Sequence, residues 1–135
     1  MIRATRLSLK AIRRRIGLSQ SEFADLLGVS LRTVQSCEQG WRNPSPPVER
    51  AALLLLMAHR HGADLTGHRC WDTLGCSEVE REGCLVYRTR QGHLCWWLSG
   101  HICKGIRLRS WEDKKRLCGD CDFFRELLPE GFPTR

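Results

Sequence analysis

Apolar residues in the first half of the chain recur three and four apart, in short runs closed by glycine. Leu7, Leu9, Ile12 and Ile16 stand at near-helical spacing behind Ser8, a candidate N-cap, and Gly17 stops the run. Ser19 followed by Glu22 forms a capping box ahead of Phe23, Leu26 and Leu27, and Gly28 closes that stripe. Ser30 caps a third segment, LRTVQSCE, which Gly40 ends. Ser45-Pro46-Pro47 then opens VERAALLLLMAHR, a fourth helix running to Gly62 with proline in its first turn. The longest apolar run, Ala51 to Ala58, is about half of what a bilayer span requires. Leu7 to Ile16 is broken by Lys10, Arg13, Arg14 and Arg15, so it makes no secretory h-region. These patterns predict a soluble, cytoplasmic protein with no membrane partner.

Behind residue 62 the periodicity fades. The spacing there predicts loops and short turns wrapped around a site, with a short helix only over Asp122 to Leu128. Composition changes at the same place. Residues 1–62 hold ten Lys/Arg against four Asp/Glu, and residues 63–135 hold twelve against eleven, so most of the +7 net charge lies on the helical half. Seven of the eight cysteines lie in the other half, between Cys70 and Cys121. The expected organisation is a helical domain at 1–62, a linker at 63–69 and a cysteine-rich domain at 70–135. A fold of roughly 60–70 residues has a marginal core and commonly needs a metal, disulfides or a partner, which the cysteines would supply.

Two short helices joined through Leu27-Gly28-Val29-Ser30 carry a helix-turn-helix signature. The string GLSQSEFADLLGVSLRTVQSCEQGWRNPSP resembles the phage-repressor/Cro (XRE) family over nearly all of residues 7–60. Ser19-Gln20, Ala24, Gly28, Val34, Glu38-x-Gly40 and Pro44 all fall in register with it. The resemblance implies a third helix in the major groove of double-stranded operator DNA, read by a homodimer with half-sites about one helical turn apart. Leu31, Arg32 and Ser36 would then contact bases, with Gln20, Thr33 and Gln35 flanking them and Arg42 and Asn43 on phosphates. Cys37 replaces the usual large apolar or aromatic residue and is expected as a small core residue on the Val34 side.

In the cysteine-rich half, successive cysteines are separated by five, seven, ten, seven, fourteen and two residues. Only Cys118-Gly119-Asp120-Cys121 has the tight gap that lets two thiolates chelate one centre. Cys118 and Cys121 therefore lead the candidate ligands, with two partners drawn from Cys70, Cys76, Cys84, Cys95 and Cys103. His93 and His101 are further donors, expected to be solvated or satisfied, and Lys114-Lys115-Arg116 reads as a solvated face that could also touch DNA backbone. A DNA reader implies a reducing compartment, where clustered thiols bind metal more often than they form disulfides. Residues 70–124 also resemble a bacterial cysteine-rich module, the two-CW domain attached to sensory and regulatory proteins. The resemblance runs through Cys70-Trp71, Cys76, Cys84 with Tyr87, Cys95-Trp96, Cys103 and Cys118-x-x-Cys121 followed by Asp122-Phe123-Phe124. It departs at Cys84-Leu85-Val86-Tyr87, where the family often has Cys-Pro-x-Tyr. It implies a sensory role and a cysteine-held cofactor.

The expected fold class is mainly α, a four- to five-helix bundle plus a small irregular domain stabilised by a metal or cluster. The expected function is that of a non-enzymatic transcriptional regulator, bacterial or phage and nucleoid-associated, that senses redox state, oxygen or iron. Its foremost cofactor is an iron–sulfur cluster of the 4Fe–4S type. Structural zinc in a dimerisation or partner-docking module is the alternative, since zinc ribbons normally show two tight knuckles and this chain has one. A thiol/disulfide redox protein stands third.

Overall fold

The computed structural model describes residues 6–98 and 101–134. It is mainly helical and divides into two compact units, one of residues 6–60 joined by 132–134, the other of residues 61–131.

The first unit holds α1 (Leu9–Ile16), α2 (Gln20–Leu27), α3 (Leu31–Glu38) and most of α4 (Pro46–His61). Its helix ends form as the serines dictate. The Ser8 side chain accepts from the Ala11 N–H, and Ser19 and Glu22 close a reciprocal capping box. Ser30 caps α3 by accepting from the Thr33 N–H. Between α2 and α3 the chain reverses at Gly28, whose φ of +71° is a left-handed conformation that other residues reach only with strain. The apolar stripes then bury Ile12, Phe23, Val34 and Leu53, one from each helix and all at 0% exposure. Each such burial contributes about 1.5–3 kcal/mol. The Leu7 N–H donates to Glu49 on α4 at 2.8 Å, and the Ser8 N–H donates to the Pro133 carbonyl at 2.7 Å. Cys37, expected in the core, is half-buried.

The second unit departs from the loops expected of it. A 3-10 helix spans Gly62–Gly67, within the stretch read as linker, and carries buried Leu65. It is followed by α5 (Cys70–Thr73), α6 (Glu78–Glu82), α7 (Leu85–Arg88), α8 (Trp111–Cys118) and α9 (Asp122–Leu127). Apart from α8, these helices are four to six residues long and show too little of a 3.6-residue period to stand out in sequence. Their caps were nonetheless written: Ser77 and Glu80 form a capping box, and Ser110 caps α8. A two-stranded antiparallel hairpin pairs β1 (Ile102–Cys103) with β2 (Ile106–Arg107). Lys104 and Gly105 at its turn both have positive φ, as a type I′ turn requires.

Aromatic side chains fill much of this unit. Trp96 is fully buried, donates its indole N–H to the His93 carbonyl at 3.0 Å, and packs edge-on to Phe124. Trp71 meets Tyr87 edge-on at 4.9 Å between ring centroids. Gly92 sits against that tryptophan so closely that a Cβ would lie 2.8 Å from its ring. Glu126 on α9 accepts from His68 at 2.7 Å and from Thr73 at 2.8 Å, bracing α9 against α5.

The expected solvated face at Lys114-Lys115-Arg116 is corrected. Lys114 and Lys115 are 1% and 3% exposed, and only Arg116 is exposed. The helical period gives the reason: Trp111, Lys114, Lys115 and Cys118 stand at i, i+3, i+4 and i+7, and they are the buried stripe of α8. Lys115 reaches Glu112 at 3.2 Å and lies over the Trp111 ring.

Candidate functional site

Two surfaces carry chemistry, one in each unit. In the first, α3 is held from three sides. Val34 anchors it in the core, while the Arg13 guanidinium grips Glu38 at its C-terminal end with two bonds of 2.7 and 2.9 Å. Arg13 also donates to the Leu18 carbonyl at 3.0 Å, so α1, the α1–α2 turn and α3 are tied together. Burial alone would raise the Glu38 carboxyl, but hydrogen bonds from Arg13 and Gln20 outweigh it and hold the group below the usual carboxylate range.

The residues expected at DNA fall into two groups. Leu31, Arg32, Gln35, Arg42 and Asn43 are exposed, Leu31 and Gln35 sharing a face four residues apart. Thr33 and Ser36 are half-buried. Thr33 is engaged within the protein: its hydroxyl lies 2.9 Å from Ser30 Oγ and accepts from Arg42 at 3.4 Å. That bond sets the Arg42 side chain beside the first turn of α3. Gln20 donates its amide to Glu38 at 3.2 Å, a bracing contact that limits its reach toward a ligand. The sequence reading missed Trp41, which stands 80% exposed beside Arg42, directly after the Gly40 turn. An aromatic in a polar loop was the signal.

In the second unit, all seven cysteines of the C-terminal half line one cavity of about 550 Å³. Cys70 opens α5, Cys76 follows it in the loop, and Cys84 precedes α7. Cys95 follows a 3-10 turn and Cys103 lies on β1. Cys118 ends α8 and Cys121 precedes α9, the Cys121 N–H donating to the Cys118 carbonyl at 3.1 Å. Sequence spacing singled out that last pair alone; the fold brings the other five to the same wall. Cys37 is not among them.

All eight cysteines are free thiols. Among the described residues, no three His, Cys, Asp or Glu side chains are gathered to the spacing of a single metal ion. The thiols instead surround a shared space. Burial pushes Cys118 up to about 12 and Cys103 up to about 11. The Cys70 and Cys95 thiols influence each other: their interaction lowers Cys70 and, with burial, holds Cys95 well above the ordinary thiol value.

Two basic side chains share the cavity wall. His101, expected to be solvated or satisfied, is 5% exposed, and burial lowers it to about 4, so its ring is neutral at physiological pH. The Lys114 ammonium donates to the Cys95 carbonyl and to the His101 ring, 2.9 Å from Nε2. Burial lowers Lys114 from its usual value, while the surrounding cysteines Cys118, Cys95, Cys103 and Cys70 oppose that shift. His93 is half-buried and does not line the cavity.

The donor set suits a soft, thiolate-held centre. A closed zinc site and an iron–sulfur cluster each take four thiolates, and seven sulfurs around one space offer enough for either.

Residues 9–54 match the helix-turn-helix family. The match supports a DNA-binding transcriptional regulator and stops short of the cysteine-rich half. No curated protein and no solved structure matches the chain. Among the described residues, no helix is long and apolar enough to cross a membrane.

Proposed function

We propose that this protein is a cytoplasmic, sequence-specific transcriptional regulator whose α3 reads an operator as a homodimer, and whose cysteine-lined cavity holds an iron–sulfur cluster, 4Fe–4S foremost. The observation that carries the second half is the convergence of all seven C-terminal thiols on one cavity. When bound, the cluster would supply a centre whose charge and integrity respond to oxidants and to iron supply.

The chain's own residues do the rest. Arg32, exposed on α3, would pair with a guanine edge and Leu31 would touch a thymine methyl, while Arg42 and Asn43 would fix register on phosphates. Cys118 and Cys121 hold the centre from one turn, with partners among Cys70, Cys76, Cys84, Cys95 and Cys103. Trp71, buried and part of that wall, would limit water around it. Gain or loss of the centre refolds this unit, and linkage passes the change to operator affinity.

A second reading has one observation in its favour. Cys70 and Cys95 line the same cavity and perturb each other's thiol, which suits a reversible disulfide.

Anaerobic purification with iron and sulfide analysis separates the two. A coloured protein with stoichiometric iron and sulfide supports the cluster, and a colourless one with a Cys70–Cys95 disulfide after mild oxidation supports the other. For the DNA reader, R32A should relax specificity at one base pair by about 1–3 kcal/mol. R42A should instead weaken binding uniformly and reduce the salt slope by about one. An unchanged operator preference in R32A would remove α3 from the reading.

A further inference from the structure

Lys114 is a cation buried among thiols without a carboxylate to balance it. It is 1% exposed, and among the described residues no Asp or Glu forms an ion pair with it. A buried charge costs several kcal/mol unless something of opposite sign offsets it. An ammonium carries three N–H donors. The Cys95 carbonyl and the His101 ring, both uncharged, take two of its hydrogen bonds. Nζ also lies 3.3 Å from Nδ1 of the same His101 ring, and a neutral ring has one acceptor nitrogen, so among the described residues one N–H has no further acceptor, in a cavity whose wall carries Cys70, Cys95, Cys103 and Cys118. A lysine on a helix face that also buries Cys118 reaches the cavity from a fixed backbone position. The Cys95 carbonyl and the His101 ring fix the nitrogen in place, and neither is a carboxylate.

We propose that the Lys114 ammonium is a built-in counter-ion for the thiolate-held centre, donating its remaining N–H to that centre's sulfur and lowering the negative charge it presents. This deepens the cofactor reading above and rests on it. Lys114 is a positioning residue here and not a ligand, because a protonated nitrogen has no lone pair to give a metal. Adding an electron beside a fixed cation is easier than adding it in the cation's absence, so Lys114 holds the reduced centre in favour.

The full chain, reconstituted anaerobically with ferrous iron and sulfide, is titrated with dithionite and followed by its visible absorption. K114M keeps the length of the side chain and removes its charge, and should shift the reduction equilibrium on the order of tenfold toward the oxidised form, about 59 mV for one electron. K114R keeps the charge and should stay close to the wild-type midpoint. K114Q keeps hydrogen-bond donors without charge and should follow K114M, and it decides the matter if K114M does not fold. An unchanged midpoint in the folded uncharged variants overturns the counter-ion while leaving the cluster in place.

If the wild type takes zinc and no iron, the cluster reading fails but the counter-ion is still tested. In a chelator competition K114M should then release zinc about tenfold more readily than K114R, and equal release overturns the proposal. A wild type that holds neither metal overturns the cofactor reading and the counter-ion with it.

Discussion

The centre of the first unit is filled by Ile12, Phe23, Val34 and Leu53, one side chain from each of four helices. In the second unit, seven cysteines, His101 and Lys114 line a space of about 550 Å³, with a separate set of buried aromatics in the same unit. The first arrangement is complete in itself: apolar groups leave water, and serines cap the starts of α1, α2 and α3. The second places polarisable sulfur, and a buried lysine with no ion pair among the described residues, where a self-sufficient fold would place leucines. A small fold that gives up part of its interior in this way commonly takes a metal, disulfides or a partner. On the proposed reading, folding and sensing are one property in the second unit.

The strongest way to break that contrast is to strip the loaded protein of its metal. Amide protection across residues 70–124 should collapse while residues 9–54 keep theirs, as read by hydrogen exchange. Equal protection in both states would mean that the aromatic core alone holds the second unit.

Phe23→Ala attacks the other side. Removing a fully buried ring should cost the first unit about 3–5 kcal/mol in urea denaturation, with the visible absorption of the loaded second unit retained. Loss of both signals together would show that the two units do not fold independently.

Glu38→Gln removes the charge that Arg13 grips and should destabilise the first unit by about 2 kcal/mol. The same pair gives an acid dependence. The Glu38 carboxyl is held below its usual value in the fold, so its contribution is complete above the unfolded value of 4.5 and is lost as pH falls through the folded one. E38Q should flatten that part of the stability curve below pH 4.5. The smallest effect belongs to Ser30→Ala, which removes the α3 cap and should cost about 1 kcal/mol by thermal unfolding.

The same contrast governs how far the sequence could be read. Ser8, Ser19 and Ser30 announce helix starts because capping is a local interaction, and each helix that follows is long enough to show its period. The Arg13–Glu38 tie was not legible, since it joins residues 25 apart through space. In the second unit, α5 and α7 are four residues long and leave no periodic trace. The burial of Lys114 could have been found by laying Trp111, Lys114, Lys115 and Cys118 on a helical wheel, but three successive basic residues read more simply as a wet face. Only the Cys118–Cys121 pair is close in sequence. The other five cysteines reach the cavity through turns and a hairpin that depend on the fold as a whole.

The central claim is that the cysteine-lined unit governs the DNA reader. Its most direct test is the operator affinity of the full chain at one fixed salt concentration, first loaded under anaerobic conditions and then stripped of its cofactor. The two dissociation constants should differ by about 5- to 150-fold, the range of ordinary allosteric coupling. Equal constants would contradict the claim and leave the cysteine-rich unit with a structural role alone.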